Sequence, residues 1–193
     1  GGRLHTFGRV LMRWSDADFK AAQRDGHGID WPLSFADLDS YYSKVEGILG
    51  VRGCPEGVTT VPDGNFAGPS KLTSAERDFR DRVQGRWSER RAISWRYMPP
   101  NIDRVPRPLL RALETGLLTI KTDAIVRRIH THPQTGRASG IEFVDRGTME
   151  VHQVPVRAVM VCASPIESVR LLLNSAGGRH EAGLGNSSGL LGR

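Results

Sequence analysis

The sequence predicts a mixed α/β fold with some α+β character, and three observations support this prediction. An apolar run of strand length, residues 157–162, leads directly into a helix start at Ser164. Helical spacing of apolar residues before residue 116 gives way to strand-rich segments after it. A strand that enters a helix through a sharp turn is also how α/β proteins bring a helix N-terminus to a phosphate or ribose.

The closing helix has a capped start and a glycine stop. Ser164 can serve as the N-cap, and Pro165 takes the first helical position, where a missing N–H has no cost. Glu167 can complete a capping box. Because residues 176–178 are Ala-Gly-Gly, the pattern predicts a helix over 165–175.

Three further helices are predicted earlier in the chain. A short helix begins at Ser15, and the best amphipathic helix follows the N-cap Ser34 and ends at Gly50. A highly charged helix opens at Thr73 and ends near Arg86. At Ser15 and at Thr73 an acidic residue follows three positions after the cap, which is the spacing of a capping box.

The remaining segments are predicted as loops and strands. Residues 51–71 are rich in Gly, Pro and polar side chains, which predicts a long surface loop, and the four prolines of residues 92–108 predict an irregular segment. Turn dipeptides separate β-rich runs after residue 116. The predicted strands are residues 117–122, 124–132, 139–145 and 149–154, followed by the closing strand.

Composition describes an ordinary globular chain of 193 residues, 38% hydrophobic and 25% charged. No apolar run reaches the length of a membrane span. The net charge of +6 does not indicate nucleic-acid binding, because its densest cluster, residues 76–91, interleaves acids with arginines as a solvated helix face does. The chain begins Gly-Gly and stops after Arg193, so we expect both ends to be cut from a longer protein, and the compartment stays open between cytoplasm and periplasm.

Cysteines and histidines predict no redox or metal site. Cys162 lies in the apolar run and is expected to be a small buried hydrophobe, while Cys54 has no evident partner. His130 and His132 lie on the same side of a predicted strand, with His152 nearby, but no third ligand has convincing spacing. The chain also has no G-x-G-x-x-G after a strand and no Ser-His-Asp or Cys-His arrangement.

The C-terminal third, VMVCASPIESVRLLLNS followed by GLGNSSGLLGR, resembles the glucose–methanol–choline (GMC) family of flavin oxidoreductases. In that family, the strand closing the FAD domain leads into a helix of the type A-x-x-x-E-S-x-R-L-L-L-x-S and a loop of the type G-L-G-N-S-S-G-x-x-G-R. The matching residues are Ala163, Glu167, Ser168, Arg170 to Leu173, Ser175 and Gly183 to Arg193.

The beginning of the chain supports the same resemblance. Residues 1–9 are similar to the family's second flavin-contacting loop, which reads G-G-R-x-x-x-W-G-R. Three later segments, residues 14–19, 28–33 and 37–42, are similar to its bacterial sugar-oxidising branch. The similarity is weakest over residues 54–100.

The resemblance implies part of an FAD/NAD(P)-binding Rossmann-like domain together with part of a substrate-binding domain. Residues 1–33 would form the flavin-contacting loop and a short helix, and residues 34–115 part of the substrate or cap domain. Residues 116–193 would supply the β-meander, closing strand, helix and glycine-rich loop of the FAD domain. The implied cofactor-binding residues are Gly1, Gly2, Thr6, Gly8, Val126 and Ala163.

The resemblance also implies a reaction, in which a sugar or other alcohol is oxidised by hydride transfer to FAD. Some relatives link the flavin through a His immediately before the loop's aromatic residue; here Thr6 precedes Phe7 and His5 is one position early, so non-covalent FAD is expected. The catalytic histidine is expected C-terminal to this chain, which alone would be inactive. The electron acceptor is not specified. The alternative is a binding or remnant module that keeps the fold without the active site.

Overall fold

The computed structural model describes Leu4, residues 7–100 and residues 105–193. The chain divides into two compact units, Gly1–Leu118 and Thr119–Arg193. Among the described residues, no helix combines the length and the apolar character needed to cross a bilayer. The division into functional regions at residues 33/34 and 115/116 stays a prediction.

The regular structure described in the first unit is helical. A 3-10 turn at Phe7–Arg9 precedes five helices; the first two are separated by one residue, and long irregular segments connect the others. The helices are α1 Asp16–Phe19, α2 Ala21–Asp25, α3 Phe35–Leu49, α4 Ser74–Arg86 and α5 Arg107–Glu114.

The predicted N-caps Ser34 and Thr73 begin α3 and α4, and the structure forms a capping box at each. The backbone N–H of Ser34 donates to Asp37 Oδ2 at 2.8 Å, and the N–H of Asp37 donates to Ser34 Oγ at 3.3 Å. Thr73 and Glu76 form the same reciprocal pair at the start of α4. Gly50 ends α3 at φ +66°, a left-handed conformation that glycine adopts without steric cost.

The core of the first unit contains Leu49, Val51 and Met98. Residues 9–11 pair with residues 96–98, since the N–H of Leu11 donates to the Arg96 carbonyl at 2.8 Å. The prediction of a surface loop over residues 51–71 is wrong at its start, because the backbone of Arg52 pairs with Tyr97 and Val51 beside it is fully buried.

The second unit is an antiparallel three-stranded sheet with one helix on its first strand. Its strands are β1 Ala124–Thr131, β2 Ala138–Asp145 and β3 Val151–Pro155, in the order β1-β2-β3. Helix α6, Pro165–Asn174, packs against β1. The predicted β-meander is thus present, and the mixed fold class is confirmed.

Two predicted strands and one predicted cap are corrected. Residues 117–122 and 157–162 do not form strands, because neither segment is bonded into a ladder with any described part of the chain. Cys162 is consequently exposed and not a buried hydrophobe. Ser164 has φ +72° and makes no side-chain cap hydrogen bond, so it does not cap α6.

Two helical predictions also need correction. The predicted helix after Ser15 is two short helices, because the backbone leaves the helical conformation at Lys20. Helix α5 was not predicted, since the prolines around it indicate irregular structure; Pro108 in fact lies in its first turn, where proline is compatible with a helix.

Candidate functional site

Gly8 occupies a constrained backbone position in the first unit. Its φ of +67° lies in the left-handed region, and a Cβ added there would lie 2.7 Å from Cζ3 of Trp95. The turn that contains Gly8 is anchored by the N–H of Met98, which donates to the Arg9 carbonyl at 3.1 Å. Only glycine therefore satisfies both the conformation and the contact with the indole ring.

A cavity of about 400 Å³ opens beside Gly8. Its walls combine two aromatic rings and one aliphatic side chain with a hydroxyl, an ammonium and a carboxylate. The lining residues are Gly8, Ser70, Lys71, Leu72, Glu76, Trp95 and Tyr97. An apolar wall with a few polar groups is the usual composition of a small-molecule site.

Buried Arg96 fixes the segment that carries the aromatic wall. Its guanidinium donates to the Val61 carbonyl at 3.0 Å and to Asp63 Oδ1 at 2.8 Å, and it lies over the ring of Phe66. Because these partners come from a distant part of the chain, they hold residues 94–97 in one position.

Asp63 is the charged partner that keeps Arg96 in place. Burial alone would raise the pKa of Asp63, but the N–H groups of Glu56 and Gly57 donate to its carboxylate at 2.8 and 3.0 Å. These bonds and the charge of Arg96 bring that pKa below its ordinary value. The carboxylate is therefore ionised at neutral pH.

Val126 lies on β1, one of the two edge strands of the sheet in the second unit. Its carbonyl accepts a hydrogen bond from Arg170 Nη2 at 3.2 Å, and Arg170 Nε in turn donates to Glu167 Oε2 at 2.7 Å. The register shift between Val126 and Arg128 is a local irregularity of the ladder at this point. The predicted backbone acceptor therefore bonds to a side chain of α6.

Ala163 is exposed and lies two residues before α6. Since Ser164 does not cap the helix, the first turn keeps N–H groups that lack a partner within the helix. Glu167 is also not used in a capping box, because its carboxylate accepts from Arg170. The positive end of the helix dipole thus lies next to Ala163.

Ser175 connects the end of α6 to the edge strand. Its Oγ accepts from the backbone N–H of Ile129 at 2.9 Å and donates to the Leu171 carbonyl at 2.6 Å. All three residues are buried, so this hydroxyl satisfies two backbone groups that water cannot reach.

The glycine-rich tail folds back on α6. Gly183 is buried with φ +106°, and a Cβ there would lie 3.0 Å from the Leu172 carbonyl oxygen. Asn186 accepts from the N–H of Leu191 at 3.0 Å and donates to the Ala182 carbonyl at 2.8 Å. Gly183 and Asn186 of the tail motif therefore fix the backbone conformation of the loop that follows α6.

His130 and His152 do not converge. His130 Nε2 lies 3.5 Å from Glu142 Oε2, whereas His152 stacks on Phe143 with ring centroids 5.1 Å apart. Glu142 and Phe143 are neighbours on β2, so their side chains point to opposite faces of the sheet. In the part of the chain that the structure describes, no group of three His, Cys, Asp or Glu residues is placed to hold a metal ion.

The sequence-predicted site residues are therefore distributed over both units. Gly8 lies in the first unit, Val126 and Ala163 lie in the second, and Gly1, Gly2 and Thr6 lie outside the described residues. Sequence reasoning gave no site role to Trp95, and it identified Arg170 only as a residue of the family motif. The alternation of polar and aromatic residues from Ser94 to Tyr97 is the signal that could have revealed a one-sided aromatic wall.

Comparison with known proteins supplies the family. A family model described as GMC oxidoreductase matches residues 9–190. The chain is 28% identical to 2-methyl-1,2-propanediol dehydrogenase of Mycolicibacterium austroafricanum and to paromamine 6'-oxidase of Streptomyces fradiae, and 26% identical to the fructose dehydrogenase large subunit of Gluconobacter japonicus. Each comparison covers 100% of this chain and 39–40% of the relative, so the chain spans about two fifths of the length of these relatives.

The family match and the fold agree. Helices combined with a three-stranded antiparallel sheet are consistent with part of the N-terminal, FAD-binding, Rossmann-like domain of these proteins. The family model covers nearly all of the chain. The chain belongs to the GMC oxidoreductase family.

Proposed function

We propose that the protein containing these residues is an FAD-dependent oxidoreductase that oxidises a CH–OH group of a sugar or another alcohol. The observation that carries this proposal is the family match over residues 9–190. The relatives are named for a diol, for fructose and for paromamine, which supports a hydroxylated small molecule as substrate. When bound, FAD would accept the hydride that leaves the alcohol carbon.

The described residues fit a flavin cofactor. Gly8 lies in the segment that resembles the family's flavin-contacting loop and borders the cavity, so a substrate bound in that cavity would lie next to the loop. Arg170 of α6 holds the carbonyl of Val126 at the edge of the sheet, where it would accept from a donor such as the adenine amino group. Ala163 places a small side chain next to the positive end of α6, where a phosphate would be stabilised.

We further propose that the flavin is held non-covalently, with Gly1, Gly2 and Thr6 as part of its loop. The support is the order of residues at positions 5–7, where Thr6 and not His precedes the aromatic residue. Acid precipitation of the intact protein is expected to release all of its flavin into the supernatant. Flavin that stays with the protein through denaturing electrophoresis would contradict this part of the proposal.

The catalytic proton acceptor is proposed to lie outside these 193 residues. The first unit would contribute the flavin-contacting loop and part of the wall around the substrate, and the second unit would contribute a further part of the cofactor cradle. Neither contribution requires an acid or base from this chain. The chain's own residues would bind and orient the cofactor and the substrate, and they would exclude water from the faces they cover.

The reaction is tested by the origin of the transferred hydrogen. The intact gene product is mixed anaerobically with a panel of sugars and diols, and reduction of its flavin is followed by absorbance. For the best substrate, deuterium on the carbinol carbon is expected to slow reduction, whereas deuterium on a neighbouring carbon, as the matched control, has little effect. A protein that folds but contains no flavin, or whose flavin no alcohol reduces, would overturn the proposal and favour a non-catalytic module.

A further inference from the structure

We propose that the cavity between Gly8 and Trp95 is a sugar-ring subsite, and that Trp95 is the residue that selects a cyclic sugar over an acyclic alcohol. This inference rests on the proposed function and adds the structural class of substrate to it. The cavity's volume of about 400 Å³ is that of a site for a small molecule.

Trp95 is exposed, and its backbone is held in place on both sides. Its residue surface is 60% accessible, while Ser94 and Arg96 on either side are only 1% accessible. The N–H and Oγ of Ser94 both donate to Glu56 Oε1, at 3.2 and 3.1 Å. With both neighbours fixed in the interior, the backbone that carries the indole is held in place, which reduces the conformational entropy lost when a ligand covers the ring.

The alternation of this segment places two aromatic rings on the cavity side. Ser94, Arg96 and Met98 are buried, whereas Trp95 and Tyr97 between them line the cavity. A sugar ring has an apolar C–H face that packs on an indole, and its hydroxyl groups lie around the rim. An aromatic wall with polar groups at its margin matches that distribution.

Glu76 supplies a fixed acceptor at the margin. Its Oε2 accepts from the N–H and the hydroxyl of Thr73, at 2.7 and 2.8 Å, and these bonds lower its pKa. Within the described part of the chain Oε1 receives no hydrogen bond, so it is available to a sugar hydroxyl. Helix α4 thus holds the carboxylate ionised and in one orientation.

The charges of the cavity favour a neutral ligand. Its ionic lining residues are one ammonium, Lys71, and one carboxylate, Glu76, while Ser70 adds a hydroxyl. An anionic substrate would need an excess of cations. Paired donors and acceptors instead suit hydroxyl groups, which both donate and accept.

The test compares cyclic and acyclic substrates in the intact, flavin-loaded protein. Trp95→Ala is expected to raise KM for a cyclic sugar about tenfold, since loss of a stacking platform weakens binding on this scale. An acyclic diol has no ring face to stack on the indole, so its KM should change by less than about twofold. Trp95→Phe should retain most of the sugar affinity because it keeps an aromatic face.

Trp87 provides the matched control. It is also an exposed tryptophan, but it lies between Arg86 and Arg90 and does not line the cavity. Trp87→Ala should leave KM for both substrate classes unchanged. Equal effects of Trp87→Ala and Trp95→Ala, or a Trp95→Ala effect that is the same for sugar and diol, would overturn the inference.

A second readout separates this inference from the proposed function. Binding of the sugar is measured by titration calorimetry on the protein with its flavin chemically reduced, so that no turnover occurs, and flavin content is determined for every variant. Loss of sugar binding in Trp95→Ala at unchanged flavin content supports the subsite. Should the purified protein contain no flavin, the proposed function fails, and calorimetry on that protein still decides the subsite: wild-type sugar binding that Trp95→Ala abolishes supports it, and absent or unaltered binding overturns it.

Discussion

The guanidinium of Arg13 forms two hydrogen bonds with the carboxylate of Glu46 in the interior of the first unit. Nε lies 2.9 Å from Oε1 and Nη2 lies 2.6 Å from Oε2, and the residues are only 4% and 6% exposed. Glu46 also accepts from the N–H of Asn65 at 2.6 Å. The carboxylate therefore joins the N-terminal segment, helix α3 and the segment before Phe66, and its hydrogen bond is the main cause of the raised pKa of Arg13.

Removal of this carboxylate should strongly destabilise the protein. Glu46→Ala leaves Arg13 buried with Asp39 as its remaining ionic partner, so we expect the free energy of unfolding to fall by about 3 kcal/mol. Urea unfolding measures this difference. The control is Asp25→Asn, which breaks the exposed pair with Arg24 and should leave the urea midpoint nearly unchanged. Similar midpoints for the two variants would contradict a stabilising role for the buried pair.

Replacement of Gly8 tests the close approach of Trp95. Gly57→Ala is the matched control, because Gly57 has nearly the same φ, +64°, and a Cβ there meets no described atom within 4 Å. The control should lose about 1 kcal/mol through the left-handed conformation alone. Gly8→Ala adds the overlap with the indole, so thermal unfolding should show a larger loss, accompanied by a lower flavin content. Equal losses would mean that the contact with Trp95 imposes no constraint.

Ser175→Ala tests the connection between α6 and the sheet edge. The substitution leaves the buried N–H of Ile129 without an acceptor, so the expected destabilisation is about 1–3 kcal/mol. Hydrogen exchange at that amide should become faster at the same time. Ser187→Ala, at an exposed serine of the tail, serves as the control and should leave both quantities unchanged. Unchanged hydrogen exchange at Ile129 in Ser175→Ala would contradict a protective role of the Ser175 hydroxyl at that amide.

Acid should weaken the turn after β2. The hydrogen bond from Lys121, followed by those from the N–H groups of Gly147 and Thr148, lowers the pKa of Asp145 from 3.8 to about 2. Because the folded pKa is the lower one, the stabilisation is complete above pH 3.8 and is lost as pH falls toward 2. Unfolding curves across this range should converge for wild type and Asp145→Asn at the acid end. A constant difference between them at every pH would be inconsistent with this account.

Elements with local signals were predictable from the sequence. The caps at Ser34 and Thr73 each involve a partner three residues away, so the residues that stabilise the helix start are visible in one short window. The hairpin of β1 and β2 was predictable for the same reason, since a Pro-Gln-Thr-Gly turn separates two β-rich runs.

Elements that depend on distant partners were not predictable in this way. An apolar run such as residues 157–162 becomes a strand only if another segment bonds to its backbone, and periodicity contains no information about that partner. The role of Trp95 likewise depends on pairing of residues 9–11 with residues 96–98, which are far apart in sequence. Gly8 could be identified as a candidate from its motif, but its contact with Trp95 required the fold.

The absorption spectrum of the purified intact protein, recorded anaerobically before and after addition of a sugar or diol, tests the central claim most directly. The account predicts the spectrum of an oxidised flavin, about one per polypeptide, that bleaches on addition of substrate and recovers with an electron acceptor. A correctly folded protein without a flavin spectrum, or with a flavin that no alcohol bleaches, would contradict the claim that this chain belongs to a working alcohol oxidoreductase.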